Sequence, residues 1–239
     1  MMRPPIRHRR TRRTGLRALC LAAAMAAMLL PATASLAGEG RLTPPPGLDE
    51  VAGPGTRTAI LAGGCFWGVQ GVFQHVEGVI SATSGYTGGA GAEPGYDQVS
   101  SGTTGHAEAV RITYDPARIS YGALLRIFFS VVADPTTLNR QGPDHGTQYR
   151  SAIFATSGEQ ARIARAYIAQ LGAAGVFDAP IVTRVETASP FYRAEAAHQD
   201  YLTRHPSSPY ILRNDLPKIA DLQAFFPDRY RARPVLEGR

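Results

Sequence analysis

The chain has 239 residues, 44% of them hydrophobic and 18% charged, which suits one substantial packed domain with extensions and excludes a disordered chain. Its formal charge of +6 is misleading: the first 37 residues hold seven arginines (Arg3 through Arg17) and no acid, and without them the balance falls to −1. The remainder gives no electrostatic case for nucleic-acid binding.

The arginine-rich start runs into an unbroken apolar stretch, Ala18–Leu30, followed by Pro31 and the small residues Ala32-Thr33-Ala34-Ser35-Leu36-Ala37. This order predicts a secretory leader over residues 1–37, cleaved after Ala34 or Ala37. The apolar run is short for a bilayer span, so no stable membrane insertion is expected after cleavage; an uncleaved anchor is the alternative. Thr11-Arg12-Arg13 with Leu16 faintly matches a twin-arginine export signal. The expected location is the periplasm. Cys20 leaves with the leader, so the mature chain keeps Cys65 alone and can form no internal disulfide. An odd thiol in an oxidising compartment calls for a functional explanation.

Residues 38–57 are rich in Pro and Gly and read as a linker. A strand-like run, Thr58–Leu61, then leads into Gly63-Gly64-Cys65-Phe66-Trp67-Gly68, and Phe66, Val69, Phe73 and Val76 recur at helical spacing. Cys65 thus sits where a strand becomes a helix. Free N–H groups and the helix dipole there favour a thiolate, so a lowered pKa is expected. The alternative, a small buried apolar cysteine, is disfavoured by the adjacent aromatics and glycines.

Gly78–Ser84 reads as a second strand and Gly85–Gly95 as a glycine-rich loop without dinucleotide-binding spacing. His106–Tyr114 alternates: His106, Glu108, Val110, Ile112 and Tyr114 share one face. Glu108 on that apolar face should be desolvated, with a raised pKa. Ser120–Val132 is a predicted helix burying Leu124, Leu125, Ile127, Phe128 and Val131. Residues 136–148 form a long polar loop of a length often tied to function. Tyr149–Thr156 is a predicted strand, and Ser157 with Gln160 forms a capping box for a helix to Leu171. Ile181–Thr187 is a further strand, and Ser189 and Pro190 open a helix to about Arg204. The domain is drawn over residues 58–205, with the tail, 206–239, wrapping it. Alternating strands and helices support an α/β or α+β two-layer sandwich.

A thiolate nucleophile needs a positioned acid or base. The candidates are Glu108, His106, Asp144, His145, Tyr96 and Tyr149, and His106, His145 and His198 keep a Cys–His hydrolase in play. One thiol and no close His pair argue against zinc, and no cofactor is expected.

Five segments in order complete the reading: Gly64-Cys65-Phe66-Trp67-Gly68, Gly85-Tyr86-Thr87-Gly88-Gly89, Thr104 to Val110, Asp134 to Gly142, and Asp144 to Ser151. Together they resemble the A-type peptide-methionine (S)-S-oxide reductases over roughly residues 57–205. The resemblance implies a ferredoxin-like mixed sheet with helices packed on it. It implies that Cys65 attacks the sulfoxide sulfur and that protonated Glu108 gives a proton to the oxygen. Tyr96 and Tyr149 would hydrogen-bond that oxygen, Phe66 and Trp67 would form the methyl pocket, and Asp144 would orient polar groups around the substrate. The products would be methionine and a Cys65 sulfenic acid. The substrate would be methionine sulfoxide, free or in oxidised exported proteins, and a monomer is expected.

Two departures from that family matter. Extra cysteines that relieve the sulfenic acid are missing; Ser100 stands near one such position. An external thiol, from a thioredoxin-fold protein or a small molecule, is therefore expected as the reductant. Gln70 replaces a common acid, which should leave the thiolate slightly favoured. The competing functions are another cysteine chemistry, such as a thiol peroxidase, and a sulfoxide-binding module without turnover.

Overall fold

Alternation of inward and outward side chains builds the sheet that carries the site. The computed structural model describes residues 1–2, 40–91 and 94–237, so the leader expected over 1–37 lies outside them but for Met1 and Met2. Strand β1 (Arg57–Gly63) enters helix α1 (Phe66–Gln74) and returns as β2 (Val79–Thr87). A short helix, α2 (Tyr96–Ser100), precedes β3 (Ala107–Tyr114) and α3 (Tyr121–Ile127). A two-residue hairpin, β4 (Arg140–Gln141) with β5 (Asp144–His145), leads to β6 (Ser151–Ala155), α4 (Gly158–Ala173) and β7 (Arg184–Thr187). Last come β8 (Tyr192–Arg193), α5 (Tyr201–Arg204) and α6 (Leu216–Phe225).

Among the described residues six strands form one sheet in the order β7-β6-β1-β3-β2-β8, antiparallel except for the β6–β7 pair. The units β1, α1, β2, β3, α3 and β6 are a β-α-β-β-α-β core, with central order β6-β1-β3-β2. The expected ferredoxin-like mixed sheet is borne out. The face of β3 with Val110, Ile112 and Tyr114 packs with Val69, Val72 and Phe73 of α1 and Leu124 and Leu125 of α3. Ala107 and Ala109 join a smaller cluster on the other face with Ile60, Ala62 and Phe154. The alternation read from the sequence therefore places Glu108 on the helix-covered face, as expected.

Several expected elements differ. The second strand runs on through Gly85, Tyr86 and Thr87, where a loop was expected. Gly85 allows this, since a Cβ there would lie 2.3 Å from the Tyr192 carbonyl oxygen of the neighbouring strand β8. The helix expected from Pro190 to Arg204 is instead β8, a 3₁₀ turn (Ala196–His198) and the single turn α5. Ser189 does not cap: its hydroxyl bonds to Thr87 Oγ1 at 3.0 Å and accepts from the Gly88 N–H at 2.9 Å, so it seats the chain on β2. The expected helix Ser120–Val132 gives way to a π turn at Phe128–Val132. Tyr149 ends a 3₁₀ turn rather than opening a strand. The capping box of α4 is half formed. Ser157 Oγ accepts from Gln160 N–H at 3.1 Å, while the Gln160 side chain turns to Thr156 N and the Thr58 carbonyl.

Residues 41–50 are not a slack linker. Thr43 is buried, with its hydroxyl 2.8 Å from both Ser130 Oγ and Tyr167 OH. Asp49 accepts from the Gly122 N–H at 2.7 Å and Glu50 from the Tyr121 N–H at 2.8 Å. Two carboxylates thus satisfy free N–H groups at the start of α3 and complement its dipole.

Candidate active site

Gly64 has φ +94°, and a Cβ there would lie 2.6 Å from Gln141 Cβ, so only glycine makes this turn at no cost. The turn sets Cys65 at the N-cap of α1, 9% exposed and unpaired. The Trp67 N–H favours its thiolate, as the sequence reading anticipated. That contribution loses. Burial first, then the charges of Glu108, Asp215 and Asp144, hold the Cys65 pKa well above the ordinary thiol range. The expected lowered pKa is corrected: a helix N-terminus cannot outweigh desolvation among carboxylates.

Glu108 projects from β3 against the same turn, and its Oε2 accepts from the Phe66 N–H at 3.0 Å. It is 2% exposed. Burial, with a smaller push from Asp144, raises its pKa to about 8 against the opposing Phe66 hydrogen bond. Glu108 is therefore a neutral acid at pH 7.

Aromatic rings wall the space beyond. Trp67 stacks on Tyr201 at 3.7 Å between centroids and meets Tyr210 edge-on at 5.8 Å. The ring of His198 lies 5.4 Å from Phe66 and 4.4 Å from Tyr96. Trp67 Nε1 donates to His198 Nδ1 at 3.3 Å, and burial lowers the His198 pKa, which keeps it neutral. Burial raises the phenol pKa values of Tyr96 and Tyr149, and Glu108, Cys65 and Asp144 are near enough to both hydroxyls to add to that rise. Asp144, on the β4–β5 hairpin, accepts a hydrogen bond from Tyr210 OH.

The structure thus brings Cys65, Phe66, Trp67, Glu108, Tyr96, Tyr149 and Asp144 into one cluster. It does not bring the other histidines to the thiol as partners: His106 Nδ1 accepts from the Gly89 N–H at 3.2 Å, and His145 is exposed on the hairpin. His198 is present as part of the wall, its Nδ1 taken by Trp67. Among the described residues no group of three His, Cys, Asp or Glu side chains is placed to hold a metal ion.

Sequence reasoning missed Tyr201, Tyr210 and Asp215, all outside the matched motifs. Asp215 is fully buried, and among the described residues neither carboxylate oxygen accepts a well-formed hydrogen bond; its ion-pair partner Lys218 Nζ lies 3.5 Å from Oδ1. A Cβ on Gly68 would lie 2.1 Å from Asp215 Oδ1, so the last glycine of Gly64–Gly68 exists to admit this acid. Burial raises its pKa to about 6 against the pull of Lys218, which leaves it ionised at pH 7. Since that charge disfavours the thiolate, Asp215→Asn should speed iodoacetamide alkylation of Cys65 at pH 8 several-fold. An unchanged or slower rate would refute the coupling.

Residues 57–229 match the family model described as peptide methionine sulfoxide reductase. Peptide methionine sulfoxide reductase MsrA 2 of Mesorhizobium japonicum is 59% identical over 189 residues, which cover 79% of this chain and 97% of that protein. The MsrA 2 of Synechocystis sp. is 51% identical over 178 residues, covering 74% of this chain and 83% of that protein. Among solved structures, methionine sulfoxide reductase A of Corynebacterium diphtheriae is 34% identical with a TM-score of 0.56, covering 72% of this chain and 87% of that one. Mxr1 from Saccharomyces cerevisiae in reduced form is 32% identical with a TM-score of 0.58, covering 66% and 91%. Fold, motif order and relatives agree with the resemblance read from the sequence: the chain belongs to the peptide methionine sulfoxide reductase family, and it is a methionine sulfoxide reductase.

Proposed function

We propose that the chain reduces the (S)-S-oxide of methionine through Cys65 and is restored by an external thiol. The observation that carries this reading is a thiol and a neutral acid meeting at one turn: Glu108 of β3 accepts from the N–H of Phe66, the residue after Cys65, at 3.0 Å. The Cys65 sulfur attacks the sulfoxide sulfur, and as the new bond forms its proton passes to the carboxylate that Glu108 leaves on protonating the oxygen. Glu108 protonates the sulfoxide oxygen as that oxygen loses its bond to sulfur. Two electrons pass from Cys65 to the substrate. The released hydroxide attacks the Cys65 sulfur and breaks the new sulfur–sulfur bond, so the oxygen and one proton end on Cys65 as a sulfenic acid and methionine leaves as the thioether. Phe66 and Trp67 hold the methyl group, Tyr96 and Tyr149 hydrogen-bond the oxygen, and Asp144, held by Tyr210, orients the polar part of the substrate.

Outside the expected leader Cys65 is the only cysteine, which supports relief from outside the chain. A first thiol condenses with the sulfenic acid, releasing water and leaving a mixed disulfide. A second thiol displaces Cys65. A thioredoxin-fold protein or a small thiol can fill both roles. The basic, apolar and small-residue order of residues 1–37 supports export, cleavage and repair of oxidised exported proteins by a monomeric enzyme.

A single-turnover experiment tests the chemistry. Native protein mixed with excess methionine sulfoxide and no reductant should release about one methionine per chain. Mass spectrometry should then show a single added oxygen, trappable on Cys65 by dimedone. Added dithiothreitol should restore continuous turnover. An intramolecular disulfide, or oxidation by peroxide in preference to sulfoxide, would overturn the reading.

A further inference from the structure

Behind the aromatic wall lies a set of buried polar side chains that the chemistry above does not use. Gln70, Gln74, Gln199 and Asp200 are each at most 2% exposed. Gln70 stands three residues after Trp67 on α1 and Gln74 one turn further, so all three look toward the segment 198–201. Gln70 Nε2 donates to the Ala82 carbonyl and to Gln199 Oε1, both at 2.9 Å, and Gln70 Oε1 accepts from the Asp200 N–H at 2.9 Å. Gln199 is saturated as well. It accepts from the Ser84 N–H at 3.0 Å and donates to the carbonyls of Ser84 and Ala194 at 2.9 and 3.0 Å.

Asp200 has φ +56°, a left-handed backbone that non-glycine residues seldom adopt. Such a conformation persists only where its surroundings over-determine it. Here Gln70 takes its N–H, and its Oδ1 accepts from Gln74 Nε2 at 2.7 Å and from the Glu237 N–H at 2.9 Å. The reversed backbone at Asp200 turns the chain between His198 and Tyr201, the two rings that lie on Trp67. Gly71 completes the fit: a Cβ there would lie 2.5 Å from Leu202 Cδ1, so α5 seats directly on α1.

We propose that Gln70 is a positioning residue for sulfoxide binding: through Gln199 and Asp200 it fixes His198 and Tyr201 against Trp67 and so sets the width of the methyl pocket. The inference rests on reading Phe66 and Trp67 as that pocket. It also replaces the expectation that Gln70 acts on the thiolate. A carboxylate at 70 would place one acceptor oxygen against two others, the Ala82 carbonyl and Gln199 Oε1, and could offer neither a proton while ionised. Gln70 and Gln199 are therefore a matched pair, and the amide is needed for its two donors.

Trp67 is the sole tryptophan, so its emission reports its stacking directly. Gln70→Glu, Gln70→Ala and Gln160→Ala should be compared with the native enzyme under dithiothreitol turnover. Gln160 is a buried glutamine with comparable hydrogen bonds at the start of α4, away from the site, and controls for general loosening. Gln70→Glu should raise KM for methionine sulfoxide about five- to tenfold, leave kcat within about twofold, and change Trp67 emission; Gln70→Ala should do more of each. Gln160→Ala should move neither KM nor emission. If Gln70→Ala fails to fold, Gln70→Glu decides alone. Unchanged KM and emission in Gln70→Glu, or equal changes in Gln160→Ala, would overturn the proposal. Failure of the native enzyme to reduce sulfoxide would instead sink the catalytic reading, and the emission would still report the positioning.

Discussion

Glu108→Gln is expected to slow methionine sulfoxide reduction about 10²- to 10⁴-fold while making the protein more stable at neutral pH. The amide keeps the shape of the carboxyl and can still accept the Phe66 N–H, but it has no proton to give. Single-turnover release of methionine measures the loss directly. The gain in stability follows from the raised pKa. An unfolded Glu108 ionises near pH 4.5, whereas the folded one holds its proton to about pH 8. The folded state then binds more protons, so stability falls as pH rises across that window and levels off above it, by at most roughly 1.4 kcal/mol per unit. Glutamine has no such penalty. Urea unfolding of both proteins at pH 5 and pH 8 should show the difference growing with pH; a difference of the opposite sign would show that Glu108 is ionised in the fold.

Cys65→Ser should abolish turnover with every thiol donor, leaving less than about 10⁻⁴ of the native rate. A hydroxyl is a far weaker nucleophile toward sulfur and cannot take up the oxygen as a sulfenic acid. The substitution is nearly isosteric, so the variant should still fold and bind methionine sulfoxide, which quenching or enhancement of Trp67 emission would show. Binding without turnover separates loss of chemistry from loss of the pocket. Residual turnover in this variant would place the nucleophile elsewhere and remove the basis for Cys65.

The parts of the site legible in the sequence are those carried by local pattern. Cys65, Phe66 and Trp67 sit at a strand-to-helix turn that glycines and helical spacing announce, and Glu108 follows from period-two alternation in β3. The sign of the thiol shift was not legible. It depends first on burial and then on Glu108, Asp215 and Asp144, which approach Cys65 only in three dimensions. The wall residues Tyr201 and Tyr210 were hidden for the same reason. The segment 189–204 reads as a helix because Ser189-Pro190 has the form of a helix start. Its hydroxyl is instead spent on Thr87 and Gly88, and strand pairing to β2 overrides the local preference. The docking of Asp49 and Glu50 was equally invisible, since a Pro- and Gly-rich stretch gives no sign that two acids in it reach a helix end seventy residues on.

The wall around Trp67 and Cys65 comes from the far end of the chain, through His198, Tyr201, Tyr210 and Asp215. The nucleophile is therefore synthesised long before the residues that bury it, and these contacts form among the last as the polypeptide emerges. Until they do, Cys65 lacks the charge of Asp215 and the cover of the later segment, and is the more acidic and more open thiol for it. The raised pKa of this thiol is thus complete only when folding is, and a nascent, truncated or partly unfolded chain forfeits the contribution of Asp215 first.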